Sequence, residues 1–321
     1  MEGVAGYVLR RLLLLPVILF VVSFATFYIT RWGPGDPISI YSQQAGYRDP
    51  EAFARVRHKY GLDKPIVEQY GIWLKDAALH GDLGVSFRYR DHTIPEIIGP
   101  KIWVSARLGV YAFFLTFLIG IPIGIIAAVK QGSALDPLLI GTFLVFQSIP
   151  VLVAVPVLVM LLNVKLHLVP PGGFDGIFSS SMIIPTLALS LPGMAGVARL
   201  ARAMTLGALH EDFVRTARAK GLDETTVILR HVARNAVAPV MTTVIGLSLV
   251  GLIEGAIITE TLLGIPGIGA FTFESVTSRD YNVILALVLL FTFAFVIANL
   301  VVDIVLVMMD PRIRLGGGPG S

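Results

Sequence analysis

The chain has no cysteine among its 321 residues, and charge is scarce: Asp, Glu, Lys and Arg together make up 15%. The first absence excludes disulfides, cysteine-ligated zinc, iron–sulfur clusters and a thiol nucleophile. The second excludes an ordinary soluble domain, in which about a quarter of residues are charged. A chain this long and this poor in charge cannot cover a globular surface with polar groups, so a soluble enzyme and a disordered chain are set aside. A nucleic-acid module wants a strongly basic face, and 25 Lys and Arg against 22 Asp and Glu leave only +3. Catalytic patterns are missing too. His58, His80, His92, His167, His210 and His231 form no i,i+4 pair and no H-E-x-x-H. No G-x-S-x-G elbow and no G-x-x-x-x-G-K-[ST] phosphate loop occurs. No catalytic, metal or cofactor-binding residue is therefore assigned.

What the chain has is apolar length: 55% apolar residues and a mean hydropathy of +0.78. A bilayer core about 30 Å thick takes about 20 apolar residues in a helix. Six uncharged windows come near or exceed that length: Leu12–Thr30, Leu108–Val129, Pro137–Val164, Gly176–Ala198, Asn235–Ile253 and Asn282–Val302. The fifth continues past Glu254 to Thr259, and the sixth past Asp303 to Met309. The first window is longer than the roughly 7–15 residues of a signal-peptide core and lacks an A-x-A site, so it reads as a retained anchor. Six spans place both termini on one side. The N-terminus, the 2–3 and 4–5 loops and the C-terminus hold Arg10, Arg11, Lys130, Arg199, Arg202, Arg215, Arg218, Lys220, Arg230, Arg234, Arg312 and Arg314, against Lys165 and Arg279 in the short loops opposite. The excess marks the cytoplasmic side.

Residues 31–103 form an outer segment with folding signals of their own. Asp49-Pro50-Glu51 reads as a helix start that should stop at Gly61. Asp63-Lys64-Pro65 begins a second helix, ending near Gly81, and Thr93-Ile94-Pro95-Glu96 has capping-box spacing ahead of span two. A small helical cap results, packing on the membrane domain or meeting a soluble partner.

The loop over 205–236 is the most informative stretch. Glu211 and Arg215 stand at i,i+4 in the favoured order. Val214, Ala217 and Gly221 fall on one flat side, open to close approach by another protein. Gly221 fits C′ of the first helix and Asp223 the N-cap of the next. Two short helices, each about 15 Å long, with a hard bend between them are expected. A basic cluster lying on lipid headgroups explains the charge equally well, but not the small-residue side or the bend.

Polar groups and helix breakers recur within the spans. Gln147-Ser148-Ile149-Pro150 puts both in span three, and Leu191-Pro192-Gly193 predicts a break in span four. Broken helices at membrane depth line a cavity or bury in protein. Gln147, Ser148, Pro150, Pro192 and Glu254 are the candidate lining of a translocation path, with plain kinks as the alternative. Intramembrane ionisable groups are functional candidates by default. Asp303 is expected near the inner rim, paired there.

Arg215-Thr-Ala-Arg-Ala-Lys-Gly221-Leu222, followed by Leu229-Arg230-His231 and Arg234-Asn235-Ala236, resembles the EAA loop of binding-protein-dependent ABC importer permeases. The closer resemblance is to the B-type subunit of the dipeptide/oligopeptide/nickel permease family. Gly81-Asp-Leu-Gly-Val-Ser86, Glu260-Thr-Leu-Leu-Gly-Ile-Pro-Gly-Ile-Gly269, Arg279-Asp280-Tyr281, Asp303 and Asp310-Pro311-Arg312 agree with it in order. Departures are Arg215 and Thr216 at the start of the EAA pattern, Leu263 in place of a Phe, and Glu254 in place of a small residue.

The resemblance implies an all-α integral membrane protein with six transmembrane helices and the type I ABC importer permease fold. It implies one permease domain over 1–315 with a flexible tail at 316–321. The expected home is the cytoplasmic membrane of a bacterium or archaeon. The implied partners are a second, paralogous C-type permease subunit, two cytoplasmic ABC ATPase subunits, an extracytoplasmic peptide-binding protein and the lipid bilayer, with no nucleic acid. ATP and Mg would be bound by the ATPase chains. Arg215, Thr216, Ala217, Ala219, Lys220, Gly221, Leu222 and Arg230 would meet the ATPase, with Arg215 and Arg230 alternatively on headgroups. Cargo would be di- or oligopeptides; nickel chelates, glutathione or a sugar-like solute stay open within the class. A stand-alone secondary transporter or channel is the reading of another class, and predicts inverted repeats and pathway charges.

Overall fold

The computed structural model describes residues 4–32, 58, 63–86, 88–89, 92–176 and 179–309; for residues 4–5, 32, 242–255 and 305–309 it describes the backbone alone. The expected helix after Asp49, the Asp310-Pro311-Arg312 motif and the tail lie outside the described residues. Among the described residues eleven α-helices follow in chain order: α1 (Val4–Trp32), α2 (Ile66–His80), α3 (Ile94–Val129), α4 (Leu135–Ser148), α5 (Val151–Leu158), α6 (Ile183–Leu209), α7 (Asp212–Ala219), α8 (Glu224–Thr226), α9 (Ala233–Leu263), α10 (Ile268–Thr277) and α11 (Tyr281–Met309). Among the described residues the only β-pairing is an isolated bridge between Val85 and Thr93.

Apart from the break at Pro150, five of the six apolar windows lie on helix, and the fourth lies on helix from Ser180 onward. Gly6–Arg31, Ile94–Val129, Ser180–Leu209 and Tyr281–Ile304 are each long and apolar enough to cross a membrane alone. The third window is a broken span: Leu135–Ser148 and Val151–Lys165 meet at 106° around Pro150. Its second half ends in a π-helical stretch, Val159–Lys165. The fifth window lies on α9, 31 residues long.

The chain divides into two compact units. One comprises Met1–Trp103 and Phe271–Leu300, the other Val104–Ala270 and Val301–Ser321. In the first, Tyr70 of α2 is the centre. Its ring lies edge-on to Phe20, Phe24 and Phe27 of α1, and its hydroxyl is 2.9 Å from Ser23 Oγ. Edge-to-face ring pairs add about 0.5–1.5 kcal/mol beyond area burial, so this contact fixes the outer segment on the first span. Leu285 of α11 closes the same core. The expected boundaries hold: α2 ends with Gly81 in the left-handed region, and at the start of α3 the Thr93 N–H donates to Glu96 Oε2 at 2.9 Å.

Two motifs that are far apart in sequence form one latch in this unit. Ser86 Oγ donates to Asp280 Oδ2 at 2.6 Å and accepts the N–H groups of Arg88 and Tyr89. Both Ser86 and Asp280 are buried. Arg88 pairs with Glu274 at 2.9 Å, the Tyr89 hydroxyl donates to the same carboxylate, and Asn282 Nδ2 donates to the Val85 carbonyl.

In the second unit, α3 and α6 touch backbone to backbone. A Cβ on Gly124 would stand 2.4 Å from the Ala198 carbonyl oxygen, and one on Gly120 would stand 2.8 Å from Val197. The Gly120-x-x-x-Gly124 spacing is what lets membrane helices approach this closely. The break expected at Pro192 is absent, because α6 runs unbroken from Ile183 to Leu209. The polar contact beside it is supplied from α3, where Thr116 Oγ1 lies 2.8 Å from the Ala112 carbonyl and 3.3 Å from that of Ser190. A proline forfeits one helix hydrogen bond, here the one to the Ala188 carbonyl, and α6 continues through it. The helix also outruns its apolar window, so Arg199 and Arg202 stand on α6 rather than in a loop.

The Glu260–Gly269 motif is a buried carboxylate cradle. Glu260 is fully buried near the end of α9. Its Oε2 accepts the N–H groups of Gly269 (2.8 Å) and Ala270 (3.1 Å), in the first turn of α10. Its Oε1 accepts from the Ser105 hydroxyl, which in turn accepts the Ile268 N–H. A helix N-terminus presents unpaired N–H groups and positive potential, so an acid held there is stabilised. Gly267 is required by space: a Cβ would fall 2.3–2.5 Å from the carboxylate atoms.

Candidate functional site

The loop between α6 and α9 is built from local signals. After α6 the chain turns at His210 and Glu211 into α7, which ends at Lys220 with Gly221 following at φ +76°. That backbone conformation is strained for any L side chain, so the glycine terminates the helix. Asp223 then caps the next helix: its Oδ2 accepts the Thr226 N–H at 2.9 Å. Hydrogen bonds from the Thr226 side chain and backbone hold the Asp223 carboxyl below the usual carboxylate range.

A bidentate pair closes the bend. Arg218 Nε and Nη2 donate to the two carboxylate oxygens of Glu224 at 3.1 and 2.6 Å. This hydrogen bonding lowers the Glu224 carboxyl and raises the Arg218 guanidinium. The pair was not singled out from the sequence. Its signal is there: opposite charges flanking a Gly-x-Asp helix stop and start.

Several expectations change. Val214 and Ala217 do not form an open flat side. Both are buried against Val227 and Val232, with Ala208 and Leu209 of α6 alongside. The loop's own second half covers the small-residue face, which also takes Ala217 off the exposed surface. Arg215 pairs with Asp212 at 3.5 Å, with both side chains largely exposed. The second element is no separate short rod either. α8 passes through a π-helical stretch, Val227–Val232, straight into α9. What the loop presents outward is Arg215, Thr216, Ala219, Lys220, Gly221 and Leu222, with Arg230 exposed farther on.

The candidate path residues lie apart from this surface in sequence. Gln147 Oε1 accepts from Arg199 Nη2 at 3.1 Å, and Ser148 Oγ bonds back to the Leu144 carbonyl. Pro150 sits at the bend and Pro192 inside α6. Glu254 is on α9, where its side chain lies outside the described residues, and Asp303 is half-buried on α11. Among the described residues no group of three or more His, Asp or Glu side chains comes together as a metal site.

Sequence similarity to a known family extends over most of the chain. The family model described as the binding-protein-dependent transport system inner membrane component matches residues 120–315, and its N-terminal companion matches residues 4–89. The chain belongs to this family. It is an all-α, multi-pass membrane permease. The oligopeptide transport system permease protein OppB of Escherichia coli K12 is 38% identical to it over 310 residues, which is 96% of this chain and 99% of that one. The dipeptide transport system permease protein DppB of the same strain is 35% identical over 339 residues, covering 96% and 98%. OppB of Haemophilus influenzae is 34% identical over 309 residues, covering 96% and 99%. Among solved structures, the MetNI methionine ABC transporter in inward-facing conformations overlaps with a TM-score of 0.48 at 16% identity, covering 65% of this chain and 96% of that one.

Proposed function

We propose that this permease is one of two membrane-spanning subunits of an ATP-driven, binding-protein-dependent importer of di- and oligopeptides. A paralogous second permease completes the path. Two ATPase chains bind ATP and Mg on the cytoplasmic side, and an extracytoplasmic binding protein delivers cargo. The termini and the loop over 211–235 face the cytoplasm, in keeping with their Lys and Arg excess. Identity to peptide permeases across 96% of the chain carries the reading. The loop supports it: a motif-bearing surface, terminated at Gly221 and pinned by Arg218–Glu224, is preorganised to receive a push. Ala219, Lys220, Gly221 and Leu222 are the contact surface, with Arg215 and Thr216 beside them, and Ala217 holds the loop from inside.

The test is reconstitution in vesicles. Uptake should require the ATPase chains, ATP and loaded binding protein. Uptake by this chain alone without ATP overturns the reading. Gly221→Val should abolish cargo-stimulated ATP hydrolysis while the complex still assembles. Nothing lies within 4 Å of the added Cβ, so the lesion is in the backbone turn, not in packing. Unchanged hydrolysis in that variant removes the loop from the coupling role.

A further inference from the structure

The loop shares one core with the end of α6, yet the broken span α4–α5 makes no part of that core. Something has to connect them if a push on the loop is to reach the helix bent at Pro150. Arg202 stands seven residues before Leu209, about 10 Å up the helix. Its Nε and Nη2 donate to Asp136 Oδ1 and Oδ2, each at 2.6 Å. Asp136, at the start of α4, is 7% exposed. Arg199, one turn earlier on α6, reaches Gln147 at the other end of α4. Asp136 and Gln147 are eleven residues apart, so about three turns separate them on one face of α4. Two arginines one turn apart on α6 thus fork to hold both ends of α4. A bidentate guanidinium–carboxylate pair fixes direction as well as distance, which simple apolar sliding contacts do not.

We propose that Asp136 is a positioning residue for coupling: its clamp on Arg202, seconded by Arg199–Gln147, makes α4 move with α6 and the loop, so that a push on the loop is delivered to the Pro150 bend. This rests on the importer reading above, and a structural staple that only adds stability is the alternative to beat.

Two measurements decide it. In the reconstituted complex, Asp136→Asn should leave assembly, unstimulated hydrolysis and the KM for ATP unchanged while cargo-stimulated hydrolysis falls about tenfold, equivalent to about 1.4 kcal/mol. Asp136→Glu should restore most of it. The reversed pair, Asp136→Arg with Arg202→Asp, should recover what either single reversal loses. Stimulated hydrolysis within twofold of wild type in Asp136→Asn overturns the proposal. So does a parallel fall of stimulated and unstimulated rates and melting temperature that neither Asp136→Glu nor the reversed pair separates. The second measurement uses the purified chain alone, whose lack of cysteine leaves introduced thiols as the sole labels. Spin labels at Leu138→Cys on α4 and Phe213→Cys on α7 should give one narrow distance, broadened by Asp136→Asn. A distance that stays narrow in the variant overturns the clamp. If the wild-type complex shows no stimulated hydrolysis, the importer reading falls, and the label distances still judge the clamp.

Discussion

Replacing Gly267 by alanine should be among the most damaging single-methyl additions in this chain. The new Cβ would stand 2.3 Å from Glu260 Oε2, 2.4 Å from its Cδ and 2.5 Å from Oε1. Ordinary contacts begin a full ångström farther out, so the carboxylate must withdraw. It has nowhere to go without loss: two N–H groups of α10 and the Ser105 hydroxyl are aimed at it. Breaking a buried charged group away from its partners costs about 3–5 kcal/mol. At about 2–4 °C per kcal/mol, melting should fall by roughly 10 °C. Gly71 is the control. It lies inside α2 with nothing within 4 Å of an added Cβ, so Gly71→Ala should be neutral or gain about 0.5–1 kcal/mol from helix propensity. The assay is thermal unfolding in detergent followed by the intrinsic fluorescence of the three tryptophans. Shortening the acid makes room, so Glu260→Asp should cost less in the Gly267→Ala background than in wild type, with a coupling of about 0.5–3 kcal/mol. Gly267→Ala melting together with Gly71→Ala, or additivity of Gly267→Ala and Glu260→Asp, would refute the cradle.

Ser86→Ala removes the hydroxyl that serves Asp280, Arg88 and Tyr89, and should destabilise by about 2 kcal/mol, read as an earlier melting transition; an unchanged transition would show that the latch contributes nothing. The bend of the α6–α9 loop should be sensitive to acid. Asp223 and Glu224 both have lowered folded-state carboxyl values, so their contribution is complete at neutral pH and disappears as pH falls through those lowered values. Hydrogen exchange at the Thr226 amide, corrected for intrinsic rate, should therefore lose protection below about pH 4. Asp223→Ala should remove that protection at every pH, whereas protection unaffected by either change would deny the cap.

Whatever depends on neighbours in the chain could be read from the amino acids. Thr93-x-x-Glu96 closes its capping box, Gly81 and Gly221 take left-handed backbone, Asp223 caps, and Pro150 breaks its span. Each is set by atoms a few bonds away. What could not be read depends on partners distant in sequence. Val214 and Ala217 looked open because Val227 and Val232, which cover them, belong to the next turn of structure. Pro192 looked like a break, yet a single forfeited bond leaves α6 continuous. Glu260 was visible as a motif member, but its role needed the N-terminus of α10 folded back on it. Ser86 and Asp280 were noted in separate motifs, and no local rule joins residues 194 positions apart. Arg199 and Arg202 counted only as charges marking a membrane side. Their partners on α4 turn them into structural ties.

The latch also constrains biogenesis. The unit holding it joins Met1–Trp103 to Phe271–Leu300, and the stretch between them belongs to the other unit. Ser86 leaves the ribosome 194 residues ahead of Asp280, about 10–40 s at synthesis rates of ~5–20 residues per second. Throughout that interval the serine has no aspartate to meet, and Tyr70 lacks the leucine of the final span. The first segment of this unit must wait for the later one. A product truncated before Asp280 therefore leaves Ser86 without the carboxylate that completes this unit.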